Sequence, residues 1–183
     1  MAFLIAVSFI LQGIPSRQPA DAWGIGAIGE RKTAKALSRL DSNYRILHDR
    51  KIRGRKSNID HIVIGPTGIF AIETKNVKGR VTLQGGHLMV GGRKRDPYIE
   101  EAWREADAVQ DALAPVMASL GKEVAPIICF HRAELPWGRS SVQSVPLVGT
   151  RGLRKLIAKG PVVLTPNQVE SVAAFCDHAL KRA

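Results

Sequence analysis

Asp60, Glu73 and Lys75 are the residues whose types and spacing can do chemistry in this chain. They lie within NIDHIVIGPTGIFAIETKN, where two apolar β-branched runs, Ile59–Ile64 and Ile69–Lys75, flank Gly65-Pro66-Thr67-Gly68. Apolar runs around Gly/Pro punctuation predict a β-hairpin with a four-residue loop. Closed that way, Ile64 pairs with Ile69 and Ile62 with Ala71, and Asp60 stands directly across from Glu73. Cross-strand partners have Cβ atoms roughly 5 Å apart. Lys75, two residues beyond Glu73, shares its face because strand side chains alternate. A one-residue slip would undo the arrangement.

Two carboxylates opposed on apolar strands repel each other, and a divalent cation removes the conflict. Mg²⁺ is held by one or two carboxylates, with water or substrate phosphate completing the shell; Mn²⁺ is an alternative occupant. A lysine beside it can stabilise charge growing on a phosphate or orient a water. Solvent-facing charges on exposed strands are a common alternative, but both runs are too apolar for an ordinary exposed face. Cys129 and Cys176 lack zinc spacing and read as buried thiols; Cys176 with His178 reads as a helix-face coincidence. Gly24, Gly26 and Gly29 form G-x-G-x-x-G with Asp49 20 residues on. A dinucleotide site needs a strand running into those glycines. Pro15–Asp21 is a polar loop instead, so the glycines read as close-packing positions.

Ala27–Leu40 is expected as a helix with Glu30, Leu37 and Leu40 on one stripe. Glu30 therefore projects from the core-facing side, toward the sheet, where a carboxylate needs a partner or metal-bound water. Tyr44–His48 reads as a strand, and Val81–Gln84 with His87–Val90 as a hairpin around Gly85-Gly86. Asp96 caps a helix from Pro97 to about Ala114, ended or kinked by Pro115; Gln110 lies beside its inner stripe, within reach of the site or on ordinary helix surface. Val124–Phe130, Ser141–Val148 and Pro161–Leu164 read as strands, and Leu153–Ala158 as a short basic helix. Thr165-Pro166-Asn167-Gln168 is a capping box opening a terminal helix to about Leu180. His61 alternates away from Asp60 and reads as structural. The order implies an α/β fold with a mixed sheet.

The 183 residues are 45% apolar and carry a net charge of +11, with pI ≈ 10.2. Such a balance favours a polyanionic partner, first nucleic acid and second an anionic membrane surface. Arg50, Lys51, Arg53, Arg55 and Lys56 precede the Asp60 strand, Lys78 and Arg80 follow Lys75, and Arg93, Lys94 and Arg95 sit on a later turn. Together they form the expected phosphate-binding rim. Residues 1–22 read as an apolar extension and linker, and residues 23–183 as a single domain. The apolar run in residues 1–14 is shorter than a membrane span of about 20 residues. Ala20-Asp21-Ala22 offers a signal-peptidase site, yet no basic residue precedes the run. Cytoplasmic residence is the first expectation, with export or membrane association as the alternative.

IDHIVIGPTGIFAIETKN resembles the core of the nuclease-related domain (NERD) family, a branch of the PD-(D/E)XK nuclease-like superfamily. GAIGERKTAKAL resembles that family's first helix, and the likeness covers roughly residues 24–110. The resemblance implies a restriction-endonuclease-like fold: a central mixed sheet, with a β-hairpin carrying the site, flanked by helices. It places the first-helix acid on Glu30, the strand aspartate on Asp60, and the E-x-K pair on Glu73 and Lys75. Ile59 stands where a proline usually precedes the aspartate. The implied activity is Mg²⁺-dependent hydrolysis of phosphodiester bonds in DNA, with Asp60 and Glu73 holding the metal, Lys75 assisting water attack, and no small-molecule cofactor. The alternative is a non-catalytic nucleic-acid-binding module on the same fold.

Overall fold

The structure is a computed structural model and describes residues 19–51, 58–136 and 140–183. Arg53, Arg55, Lys56 and the apolar run in residues 1–14 lie outside the described residues. The chain begins with helix α1 (Pro19–Leu37), then strands β1 (Arg45–Lys51), β2 (Asn58–Gly65), β3 (Gly68–Gln84), β4 (His87–Val90) and β5 (Arg93–Lys94). Helices α2 (Pro97–Ala112) and α3 (Ala114–Leu120) follow, then β6 (Val124–Glu134), β7 (Ser140–Val142), β8 (Val145–Gly149), α4 (Thr150–Ala158) and α5 (Pro166–Ala179). The sheet order is β1-β2-β3-β6-β8-β7, with β4 and β5 extending the far half of β3. β1, β2 and β3 are antiparallel neighbours, whereas β3, β6 and β8 run parallel. This mixed sheet between helical layers is the expected restriction-endonuclease-like α/β architecture.

Strands that read as near-continuous apolar runs are those covered on both faces, and β2 and β3 show it. On one face Ile62, Ile64 and Ala71 pack against Ala106 and Val109 of α2 and Val169 and Val172 of α5. On the other, Val63, Ile72 and Ile127 pack against Leu37 of α1 and Leu153 and Ile157 of α4. β3 is long because it changes partners: its pairing with β6 shifts register between Asn76 and Gly79, and it then pairs with β4. Gly79 takes φ +115° there, and a Cβ would stand 2.7 Å from the Gly91 Cα, so glycine is required on steric grounds.

Several boundaries differ from expectation. α1 starts at Pro19, since proline is tolerated in a first helical turn, so the glycine triplet lies inside a helix. The residues immediately before the glycines, from Pro19 on, are themselves helical, so no strand runs straight into them and the dinucleotide alternative falls. Gly29 does serve close packing, because a Cβ would meet the Asn76 Cβ at 2.8 Å. Asp96 does not cap α2 with its side chain; its carboxylate accepts from the Leu88 N–H at 3.0 Å and pairs with His87 and Lys94. Pro115 sits in the first turn of a separate helix, α3. The expected strand over Ser141–Val148 is a hairpin, since Gln143 and Ser144 take φ +47° and +65°. Pro161–Leu164 is not a strand: the Val163 and Leu164 N–H groups both donate to the single carbonyl of Pro66, an end-on contact without a ladder. The Thr165–Gln168 capping box forms as expected. Among the described residues no helix is long and apolar enough to cross a membrane.

Candidate active site

The β2–β3 register is the one the four-residue loop implies, with Ile64 opposite Ile69 and Ile62 opposite Ala71. Pairing runs to His61 opposite Ile72. At the next step the Asp60 carboxylate accepts the Thr74 backbone N–H at 2.8 Å. A side chain thus takes the place of a ladder partner. On β3, Glu73 is 5% exposed. Lys75 Nζ lies 2.5 Å from Glu73 Oε1 and donates to Glu101 Oε2 at 2.6 Å. The same ammonium sits 4.6 Å from the Tyr98 ring centroid, a cation–π contact.

α2 supplies two acids that sequence reasoning did not assign to the site. Oxygens of Glu73, Glu101 and Glu105 lie within 4.8 Å of one another. Glu105 is buried, and its Oε2 has no hydrogen-bond partner. A signal was available: Glu105 lies on the apolar stripe of α2, and Glu101 precedes it by four residues on the same face. A carboxylate among core alanines is costly unless something binds it.

Burial pushes the Asp60 carboxyl up to about 8, with the charges of Glu73 and Glu30 adding to it; the Thr74 N–H and Lys75 oppose. Glu105 is pushed up to about 12, by burial first and then by Glu73. Burial works against the Lys75 ammonium, but Glu73 and Glu101 overcome it and raise its pKa above the ordinary lysine value. Crowded acids with an unused buried oxygen are what a cation would relieve. A donor set made of carboxylate oxygens suits a hard divalent ion, so the residues present fit one.

Glu30 is partly buried on α1. Burial first, then the charges of Asp49 and Glu73, raise its carboxyl above the ordinary value. α1 is seated by the close approach of Gly29 to Thr74 and Asn76 and by a hydrogen bond from the Thr74 hydroxyl to Thr33. His61 turns away from Asp60: its Nδ1 lies 2.9 Å from that of His48, and burial drives its pKa down to about 3. Gln110 accepts the Val124 N–H at the start of β6 and so serves the fold.

The expected basic rim is only partly available. Arg50 turns to the C-terminal helix, pairing with Asp177 at 2.6 Å and donating to the Leu180 carbonyl. Its side chain is 13% exposed, which leaves it little room to meet a phosphate. Lys51 and Lys78 are exposed, as is Arg80, whose Nε lies 3.7 Å from Glu134. Both cysteines are free and buried, Cys129 raised to about 12 and Cys176 to about 11, chiefly by burial.

Fold and site together define a nuclease-like protein of the PD-(D/E)XK class. The family model described as "Nuclease-related domain" matches residues 25–131, and the chain belongs to that family. An uncharacterized protein of Bacillus anthracis is 39% identical over 80 residues, which is 42% of this chain and 37% of that protein. The aligned stretch is therefore little more than a third of that relative's length. No solved structure matches the chain.

Proposed function

We propose that this protein is a divalent-metal-dependent nuclease that hydrolyses phosphodiester bonds in DNA. The observation that carries it is the junction of Asp60, Glu73 and Lys75 where β2 stops pairing with β3, beside the unpartnered oxygen of Glu105. Asp60 and Glu73 would hold Mg²⁺ or Mn²⁺, and Glu105 extends the donor set. The bound ion supplies Lewis acidity toward the phosphate and lowers the pKa of water. Lys75 keeps its proton between Glu73 and Glu101, so its role is to stabilise negative charge on the phosphoryl oxygens and orient the attacking water. Glu30, from the opposite helix, orients water at the same cluster. In the overall reaction water adds to phosphorus, the bond to the leaving oxygen breaks, and that oxygen takes up a proton. We place the activity in one domain spanning residues 23–183.

A second reading, a nucleic-acid-binding module without turnover, is favoured by one contact. Lys75 already bridges Glu73 and Glu101, so part of the acidic charge is neutralised within the chain. Plasmid nicking with Mg²⁺ or Mn²⁺ separates the two. The nuclease cleaves, and Asp60→Ala or Lys75→Ala cuts cleavage by orders of magnitude. Salt-sensitive binding with no nicking in either metal would sink the enzymatic reading. Cleavage surviving both substitutions would mark a contaminant.

A further inference from the structure

The two helical layers carry opposite charge. On the side of α1 and α4, exposed Arg31, Lys32 and Lys35 stand on one helix and exposed Arg151, Arg154 and Lys155 on the other. α4 has no acid, and from residue 24 on α1 has one, the partly buried Glu30. On the opposite side α2 holds five acids and one arginine, and α5 holds two acids and no lysine or arginine.

Among the described residues the six bases are also without ion-pair partners. Arg45, Arg50, Lys75, Arg80 and Lys94 each meet an acid, whereas none of the six forms an ion pair among the described residues. Like charges three and four residues apart on a helix are mildly destabilising. Arg31 with Lys35, and Arg151 with Arg154 and Lys155, repeat that cost on adjacent helices. A polyanion laid across both would turn the repulsion into attraction.

The patch lies at the level of the candidate site along the sheet, on the opposite face from the Glu73 and Lys75 side chains. Gly29, two residues before Arg31, touches Thr74 and Asn76. Gly149, just before α4, pairs with Phe130, which pairs with Lys75. α4 therefore starts at the level of Lys75, and α1 passes over the sheet at that level. We infer that the α1/α4 face is a docking surface for the phosphate backbone of a duplex nucleic acid, level with the candidate site but across the sheet from the Glu73 and Lys75 side chains. This rests on the nuclease reading for what happens at the site, but not for binding itself. Phosphate contacts of this kind position a duplex without reading its sequence.

The test is binding of a fluorescein-labelled DNA duplex of mixed sequence in EDTA, over a salt series. The triple variant Arg151→Gln/Arg154→Gln/Lys155→Gln should bind at least 10-fold more weakly. Its dependence of log affinity on log salt should flatten by about 2 to 3, since each lost phosphate contact removes about 0.9. Lys32→Gln/Lys35→Gln should act in the same direction by less. Arg104→Gln/Lys122→Gln, away from this face, should bind like the unaltered protein. Melting temperatures check each fold, and the single Arg154→Gln replaces the triple if that one unfolds. The inference is overturned if the α4 variants bind as tightly as the unaltered protein. It is equally overturned if the unaltered protein binds no duplex at low salt, or if the variants lose phosphatidylserine vesicles while keeping DNA. The nuclease reading fails separately, when the duplex binds through α4 but is never nicked in Mg²⁺ or Mn²⁺.

Discussion

The two halves of β3 share one backbone and one alternation but meet different neighbours. From Ile69 to Ile72 the strand is paired with β2 on one side and β6 on the other, and Ile69, Ala71 and Ile72 are almost fully buried. From Glu73 onward β6 continues, but the ladder with β2 has given way to the Asp60 carboxylate. The first half behaves as core. The second carries a buried glutamate and a largely buried lysine, matched by acids and a ring from α2. Losing one neighbour on one side is enough to turn a core strand into a place for charged side chains.

Substitutions in the two halves should fail in different ways. Lys75→Ala and Asp60→Ala should each lower the cleavage rate by on the order of 10²–10³-fold or more, the range for removing a group that stabilises transition-state charge. Single-turnover kinetics with duplex binding measured alongside would show whether chemistry or affinity was lost. In the paired half, Ile62→Ala should cost about 2–5 kcal/mol of stability, as truncations of buried isoleucines do, and denaturant melts read it directly. If Ile62→Ala slowed cleavage at unchanged stability, the division between the halves would be wrong.

Gly29→Ala tests the seating of α1 against the open half. The new Cβ must displace Asn76, so a loss of about 1–3 kcal/mol is expected from overpacking. Nicking should weaken too, because Glu30 is the next residue. Unchanged melting would mean that α1 does not need that close approach.

pH should separate the halves with opposite signs. Asp60 and Glu105 have raised values in the folded chain. The unfolded carboxyls release their protons near pH 4, so metal-free stability is highest below that and declines as pH rises toward about 8 for Asp60. His61 is held down to about 3. Its contribution is complete above the ordinary histidine value and is lost as pH falls below it. Melting scans in EDTA should show Asp60→Asn flattening the alkaline limb and His61→Gln flattening the acid limb. Mg²⁺ should raise the melting temperature more at pH 8 than at pH 5, since the acids must ionise to bind it. The smallest effect is reserved for a position remote from both halves: Thr165→Ala should cost about 1 kcal/mol through loss of the α5 cap and leave nicking unchanged.

Much of this contrast was legible in the chain. The hairpin register, the α5 capping box, the turning of His61 away from Asp60 and the buried thiols follow from spacing, alternation and burial. What escaped is longer in range. Ser141–Val148 looks like one strand because two adjacent left-handed residues, Gln143 and Ser144, carry no glycine to mark the turn. Pro161–Leu164 has strand composition but finds one carbonyl rather than an edge. Glu105 was hidden among the alanines of α2, and the pairing of Arg50 with Asp177 depends on α5 lying beside β1.

The amino-acid sequence by itself determined the turn at Gly65–Gly68 and the alternation that turns Glu73 and Lys75 to one face. Those depend on a few neighbouring residues and on backbone sterics. Only the tertiary structure decided which acids join them, where the ladder opens, and that one helical layer is cationic and the other acidic. Those outcomes depend on which helix lands on which face of the sheet, and burial across the whole core sets that placement.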